Sequence, residues 1–210
     1  MLSQQLPDFQ YLQYRHPLFA LAALSVALAG NEEADLAELR TVPGAIQSAL
    51  ELEPEAERIA GKHALMEHCV VLSRAYNYAT AQEWALKLKE LAYVFTDVYS
   101  TADFRHGPIA IVEPGFPVLA VAPEGVVLED QLALLQRLRD EYRAELILIS
   151  NSNRALSMGA EALHLPPDLP EWLTPIVSIV PAQLFCYHLT RAKGYDTEKP
   201  RTLHKITLTR

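Results

Sequence analysis

Glu83, Lys87 and Glu90 stand at i, i+4 and i+7 in the run Glu83-Trp84-Ala85-Leu86-Lys87-Leu88-Lys89-Glu90. A helix there places all three on one face. A second charged cluster, Asp103-Phe104-Arg105-His106-Gly107-Pro108, follows closely. A carboxylate near a helix end, a lysine beside it and a histidine on the next loop are groups that proton shuttling on an opened sugar requires. The Glu83/Lys87 spacing equally suits an ordinary surface ion pair, stabilising by about 0.2–0.5 kcal/mol. Spacing alone leaves both readings open.

The elements that must position these groups can be read in outline. Short apolar runs at 69–72, 98–99, 117–122, 145–150 and 162–165 alternate with helical stretches at 79–93, 129–142 and 177–191. Strands of this kind, separated by helices, predict a parallel sheet covered on both faces. Ligands of such sheets bind beyond the carboxyl ends of the strands, where the turns at Ser73, Asp103 and Glu124 fall. Pro166, Pro167 and Pro170 force a loop before the last helix. Ahead of the first strand, 18–29 reads as a buried helix stopped by Gly30, and 31–39 as acidic and solvated. Pro43 opens a second helix running to about residue 60, with Glu51, Glu53, Glu55 and Glu57 assigned to solvent.

The chain has 210 residues, half of them hydrophobic, which suits one main domain with an added helical arm. Its net charge of −8 argues against nucleic acid, because no basic patch neutralises phosphates. Cys69 and Cys186 are isolated in apolar runs and read as buried, reduced thiols, with a cytoplasmic location. Residues 17–29 are apolar but too short to span a bilayer, so no membrane is expected. The histidines show no metal-type spacing with carboxylates; no metal or cofactor is expected, and His188 reads as a core histidine.

Four segments then carry a resemblance: 70–81, Ala85-Leu86-Lys87-Leu88-Lys89-Glu90 with Arg105-His106-Gly107-Pro108, 180–188, and the tail from Lys193-Gly194-Tyr195-Asp196 through Pro200-Arg201 to Lys205-Ile206-Thr207. In this order they resemble the second sugar-isomerase (SIS) domain of the glucosamine-6-phosphate synthase superfamily. The wording at 77–81 and 102–104 looks closer to stand-alone glucosamine-6-phosphate deaminase-like members than to synthases fused to an amidotransferase. The resemblance implies a three-layer αβα SIS fold with a central parallel sheet, preceded by a helical arm. Its parts would be an arm at 1–62, the SIS domain at 63–192 and a catalytic-loop tail at 193–210. Only the second of the family's two SIS copies is expected in these residues, with 14–28 resembling the helix that leaves the first copy.

Residue by residue, the resemblance matches Glu90 to the family's proton-transfer glutamate and His106 to a ring-opening histidine that reaches the site of a neighbouring subunit. It matches Lys205 to the tail lysine that contacts the opened sugar, and Lys87 to a supporting lysine. Ser73, Arg74 and Glu83 are candidate substrate contacts. The implied ligand is a hexose 6-phosphate or amino-sugar phosphate, such as fructose 6-phosphate or glucosamine 6-phosphate, and the implied assembly a homodimer.

Two departures bear on function. The family's first strand ends Gly-Arg-Gly, whereas this chain has Ser73-Arg74-Ala75, which makes close backbone approach to a ligand harder. The family's phosphate-holding Ser-x-Ser-Gly-x-Thr turn corresponds here to Ala122-Pro123-Glu124-Gly125-Val126, which lacks hydroxyls and carries a carboxylate. Two functions are therefore expected to compete. One is the proton-transfer half of a phosphosugar isomerase or aminosugar-phosphate deaminase. The other is a non-catalytic sugar-phosphate-binding or assembly module.

Overall fold

A computed structural model describes residues 8–29, 32–199 and 201, with side chains from Tyr14 onward except Arg15 and Glu32. Nine α-helices and five strands are described: α1 Asp8–Ala29, α2 Glu32–Leu39, α3 Val42–Leu50, α4 Glu53–Lys62, β1 His68–Ser73, α5 Tyr78–Glu90, β2 Phe95–Ser100, α6 Thr101–Phe104, β3 Pro117–Val121, α7 Leu128–Asp140, β4 Glu145–Ser150, α8 Asn153–Leu156, β5 Glu161–His164 and α9 Thr174–Ala192. The strands form one parallel sheet in the order β2-β1-β3-β4-β5.

The alternating side-chain period of a strand divides the core in two. Val71, Leu119, Val121, Ile147 and Ile149 face one layer with Trp84, Leu88 and α9. Val70, Leu72, Val118, Ala120, Leu146 and Leu148 face the other, with Phe104, Leu132, Leu135 and Leu138. Strand order explains why. From β1 to β2 the chain steps one way, and from β3 to β4 the other, so crossovers of one hand place α5 and α7 on opposite faces. This is the three-layer αβα arrangement with a parallel centre.

α9 is apolar around its whole circumference, and every residue from Thr174 to Thr190 is buried. Such a helix must be covered on all sides. The sheet and α5 cover one side, while α1, α3 and α4 of the arm cover the other. It falls within 171–192, the one described stretch long and apolar enough to cross a membrane, and its residues 174–190 are buried inside the domain.

The arm departs from expectation in three places. α1 continues back through Pro17 to Asp8, and among its described side chains only Ala22 and Val26 are buried against the body. Phe19, Leu21, Leu24 and Leu28 stand exposed, so the helix is buried along a stripe rather than all round. Residues 32–39 are helical, with Leu39 buried and Glu38 accepting the Trp172 indole N–H at 2.6 Å. The helix expected from Pro43 to 60 breaks at Glu51–Leu52, because Pro54 supplies no N–H and starts a new first turn. Glu53, assigned to solvent, instead lies 3.2 Å from Nε2 of the buried His188. Both cysteines are buried and unpaired, as expected.

Candidate active site

α5 brings three of the expected residues together. Lys87, 8% exposed, places Nζ 2.8 Å from Glu90 Oε2 and 3.8 Å from Glu83 Oε1. The helix buries Trp84 and Leu88 against the core. That fixes the Glu83–Lys87–Glu90 stripe at the border of the buried face, half-sheltered rather than free in solvent. Burial pushes the Glu83 carboxyl above its ordinary range, Lys87 pulls it back, and the neighbouring Glu90 charge pushes it further up. One cation thus stands between two carboxylates. Tyr14 of α1 meets this stripe close to Thr80 and Glu83, and burial pushes its phenol up to about 12.

His106 lies elsewhere. α5 leaves the carboxyl end of β1 and returns to the amino end of β2, so Glu90 sits at the edge where strands start. His106 follows β2 and α6 at the edge where strands finish, and its ring is exposed. Within one chain the two are separated by roughly the length of a strand, on the order of 17 Å. They do not form one site in a single chain. Lys205 lies outside the described residues.

The remaining candidates gather at the carboxyl edge. Ser73 is fully buried and its hydroxyl donates to the Val121 carbonyl at 2.7 Å, tying β1 to β3. Arg74 pairs with Asp130, which also receives Arg105 at 3.0 Å. Asp130 was not singled out from the sequence. Only its place in the first turn of α7, facing the end of β1, reveals it.

The turn at 122–126 is already satisfied from within. The Glu124 N–H donates to Asn151 Oδ1 at 2.8 Å, and the Val126 N–H donates to Glu171 Oε2 at 3.1 Å. The Glu171 side chain lies so close over Gly125 that a Cβ there would fall 2.2 Å from its carboxyl carbon. The Glu171 carboxylate therefore takes one N–H of this turn and the Asn151 amide oxygen another. Ala75, noted above as a departure from a glycine pattern, holds the left-handed backbone at φ 53°. Among the described residues no group of three or more metal-ligating side chains comes together.

Comparison with known proteins agrees with this fold. The SIS domain matches residues 66–192. The glutamine–fructose-6-phosphate aminotransferase (isomerizing) of Acidithiobacillus ferridurans is 37% identical over 169 residues, covering 80% of this chain and 27% of that protein. The C-terminal domain of glucosamine-fructose-6-phosphate aminotransferase from Francisella tularensis superposes with a TM-score of 0.72 at 29% identity, over 85% of this chain and 51% of that one. The glucosamine-6-phosphate deaminase of Thermotoga maritima gives 0.63 at 27% identity, over 91% and 55%. The chain thus spans under a third of the length of that aminotransferase and about half of each solved chain. Several relatives at 32–37% identity carry that aminotransferase name. A family match over most of the chain, on a five-stranded parallel sheet with the α5 cluster in place, leads to one conclusion: this chain belongs to the SIS domain family.

Proposed function

We propose that the chain is the second SIS copy of a phosphosugar isomerase or aminosugar-phosphate deaminase, and that it supplies the proton-transfer groups. The carrying observation is the α5 cluster, in which Lys87 holds the Glu90 carboxylate at 2.8 Å beside a second, burial-perturbed carboxylate. Aldose–ketose isomerisation moves a proton between adjacent carbons of an opened sugar. In this reading Glu90 takes and returns that proton, Lys87 orients it, Glu83 tempers the Lys87 charge, and Lys205 holds the developing negative charge on the sugar oxygen. His106, on the opposite edge of the sheet, opens the ring in a neighbouring subunit's site, which makes a twofold dimer the working unit. The names of the relatives support a hexose 6-phosphate substrate such as fructose 6-phosphate or glucosamine 6-phosphate. The organisation that goes with this is an arm at 1–62, a SIS domain at 63–192 and a tail at 193–210.

The occupied turn over Gly125 supports placing the sugar phosphate on a first SIS copy rather than on this one. The same feature, with Ala75 in a glycine conformation, favours a second reading: a non-catalytic binding or assembly module. One experiment separates them. Conversion of fructose 6-phosphate is measured with the chain alone and with a first SIS copy of a relative co-expressed. Turnover that falls by about 10²–10⁴-fold in Glu90→Gln, with ligand binding retained, supports the enzyme. Binding without turnover in both settings, or turnover indifferent to Glu90→Gln, supports the module.

A further inference from the structure

The arm meets the body of the domain around a cavity that no residue of the α5 cluster lines. It encloses about 450 Å³, within the roughly 300–1,000 Å³ usual for small-molecule pockets. Its buried lining is apolar: Ala22 and Val26 of α1, Pro175 and Ile176 of α9. Two aromatic side chains, Tyr76 and Trp172, complete the wall. Tyr76 stands three residues past the end of β1, and ligands of parallel sheets bind beyond the carboxyl ends of the strands.

Three features mark this cavity as more than a packing gap. The first is strain. Ala75, which delivers Tyr76, holds left-handed backbone at φ 53°, a conformation that persists only where the surroundings enforce it and that collects at ligand sites. Tyr76 itself is 57% exposed, a ring that the chain leaves open. The second is preorganisation. The Trp172 indole N–H donates to Glu38 Oε2 at 2.6 Å, which fixes that ring before any ligand arrives. The third is charge. Asp35 of α2 lines the cavity together with Ser25, and neither Asp35 nor Glu38 forms an ion pair with any described residue. Two carboxylates one helical turn apart thus stand at an apolar, aromatic cavity without a cation to balance them. A second cavity of about 550 Å³, between α1 and α3, is lined by Phe19, Pro43 and Ile46 and has no carboxylate.

We infer that the first cavity is a binding site for a small organic cation, an ammonium carried on an apolar or aromatic body. The buried lining takes the body. The Asp35 carboxylate pairs with the ammonium, the Ser25 hydroxyl offers it an acceptor, and the negative faces of Tyr76 and Trp172 add cation–π attraction. The same carboxylates repel phosphate, so the occupant is not the sugar phosphate of the proposed reaction, and the site is independent of that reaction.

Trp172 provides a direct readout, because the chain's other tryptophan, Trp84, is fully buried. The full 210-residue chain is titrated with benzylamine and, in parallel, with benzyl alcohol, a similar ring without the charge. Binding is followed by tryptophan fluorescence and by calorimetry. Benzylamine should give a saturable change with half-saturation at about 1 mM, and benzyl alcohol should bind about tenfold more weakly. Asp35→Asn should weaken benzylamine about tenfold and leave benzyl alcohol unchanged. Trp172→Phe should abolish the fluorescence change while calorimetry still registers binding. Fructose 6-phosphate should not displace the amine. No saturable binding of benzylamine, equal affinity for the two probes, or unchanged amine affinity in Asp35→Asn overturns the site. Displacement by fructose 6-phosphate overturns it too, since the cavity would then belong to the sugar-phosphate reaction. Should Asp35→Asn lose its native circular dichroism, the two probes on the unaltered chain decide alone. A chain without turnover changes none of these outcomes.

Discussion

Replacing Lys87 with Met keeps a long, flexible side chain against the core and removes only the cation. Glu83 and Glu90 would then face each other without it, at side-chain exposures of 15% and 26%. At an effective dielectric of about 20, the contacts of 2.8 and 3.8 Å represent gross attractions of about 6 and about 4 kcal/mol. Most of that offsets the desolvation of three charged groups. Breaking fully buried pairs costs about 3–5 kcal/mol and exposed pairs about 0–1, so this half-sheltered cluster should lose about 2 kcal/mol at pH 7. For a chain of this size that is a fall of about 4–8 °C in Tm. The pH dependence has a definite sign. Glu83 has its folded pKa raised by burial, so its favourable contribution is present below its ordinary value and is lost as pH rises through the raised one. Loss of Lys87 raises it further, so the gap between Lys87→Met and the unaltered chain should narrow on going from pH 7 to pH 5. Glu83→Gln should behave oppositely: it removes the penalised carboxylate, leaves the 2.8 Å pair intact, and holds or raises Tm at pH 7. Thermal unfolding followed by circular dichroism at both pH values decides. If the two variants shift Tm at pH 7 in the same direction and by similar amounts, Lys87 is not balancing two carboxylates.

Three further outcomes are expected. Ala75→Gly should stabilise the chain by up to about 1 kcal/mol in urea unfolding, because relief of the left-handed penalty outweighs the extra unfolded-state entropy; a destabilised variant would mean that the φ of 53° carries no strain. The Glu161 carboxyl is held low by hydrogen bonds from Arg58 and then Lys62, so its stabilising effect is present above the ordinary carboxylate range and is lost as pH falls through the lowered value. Glu161→Gln should therefore melt a few degrees, about 2–4 °C, below the unaltered chain at pH 7 and converge with it near pH 3, and a constant offset would refute the assignment. Neither thiol should react with Ellman's reagent in the folded chain at pH 8, since burial pushes Cys69 to about 12 and Cys186 upward as well; both should react in denaturant.

The sheet and its helices were legible because strand and helix periods are written in apolar side chains. Val70-Val71-Leu72 and Ile147-Leu148-Ile149 could be buried on both faces and nowhere else. The α5 cluster was legible for the same reason, since helical spacing alone puts Glu83, Lys87 and Glu90 in one stripe. What stayed hidden depends on contacts between residues far apart in sequence. Nothing near residue 38 announces Trp172, and nothing near residue 124 announces Glu171. The same holds for Glu53 with His188 and for Arg74 and Arg105 with Asp130. The partners in these contacts lie 25 to 135 positions apart in the chain, beyond the reach of local composition. Tyr93 stayed hidden for a further reason: its left-handed backbone is one that local propensity disfavours.

The helix that joins arm to sheet is made after the other described elements that pack against it. Until Ala192 has been added, α3, α4, α5 and one face of the sheet lack the element they all pack against. At about 5–20 residues per second, some 6–24 seconds separate the completion of β1 from that of α9. Throughout that interval a nascent chain carries an uncovered apolar surface, ready for a chaperone or for another growing chain on the same message. Synthesis rate, rather than final stability, then governs how much of the protein escapes aggregation.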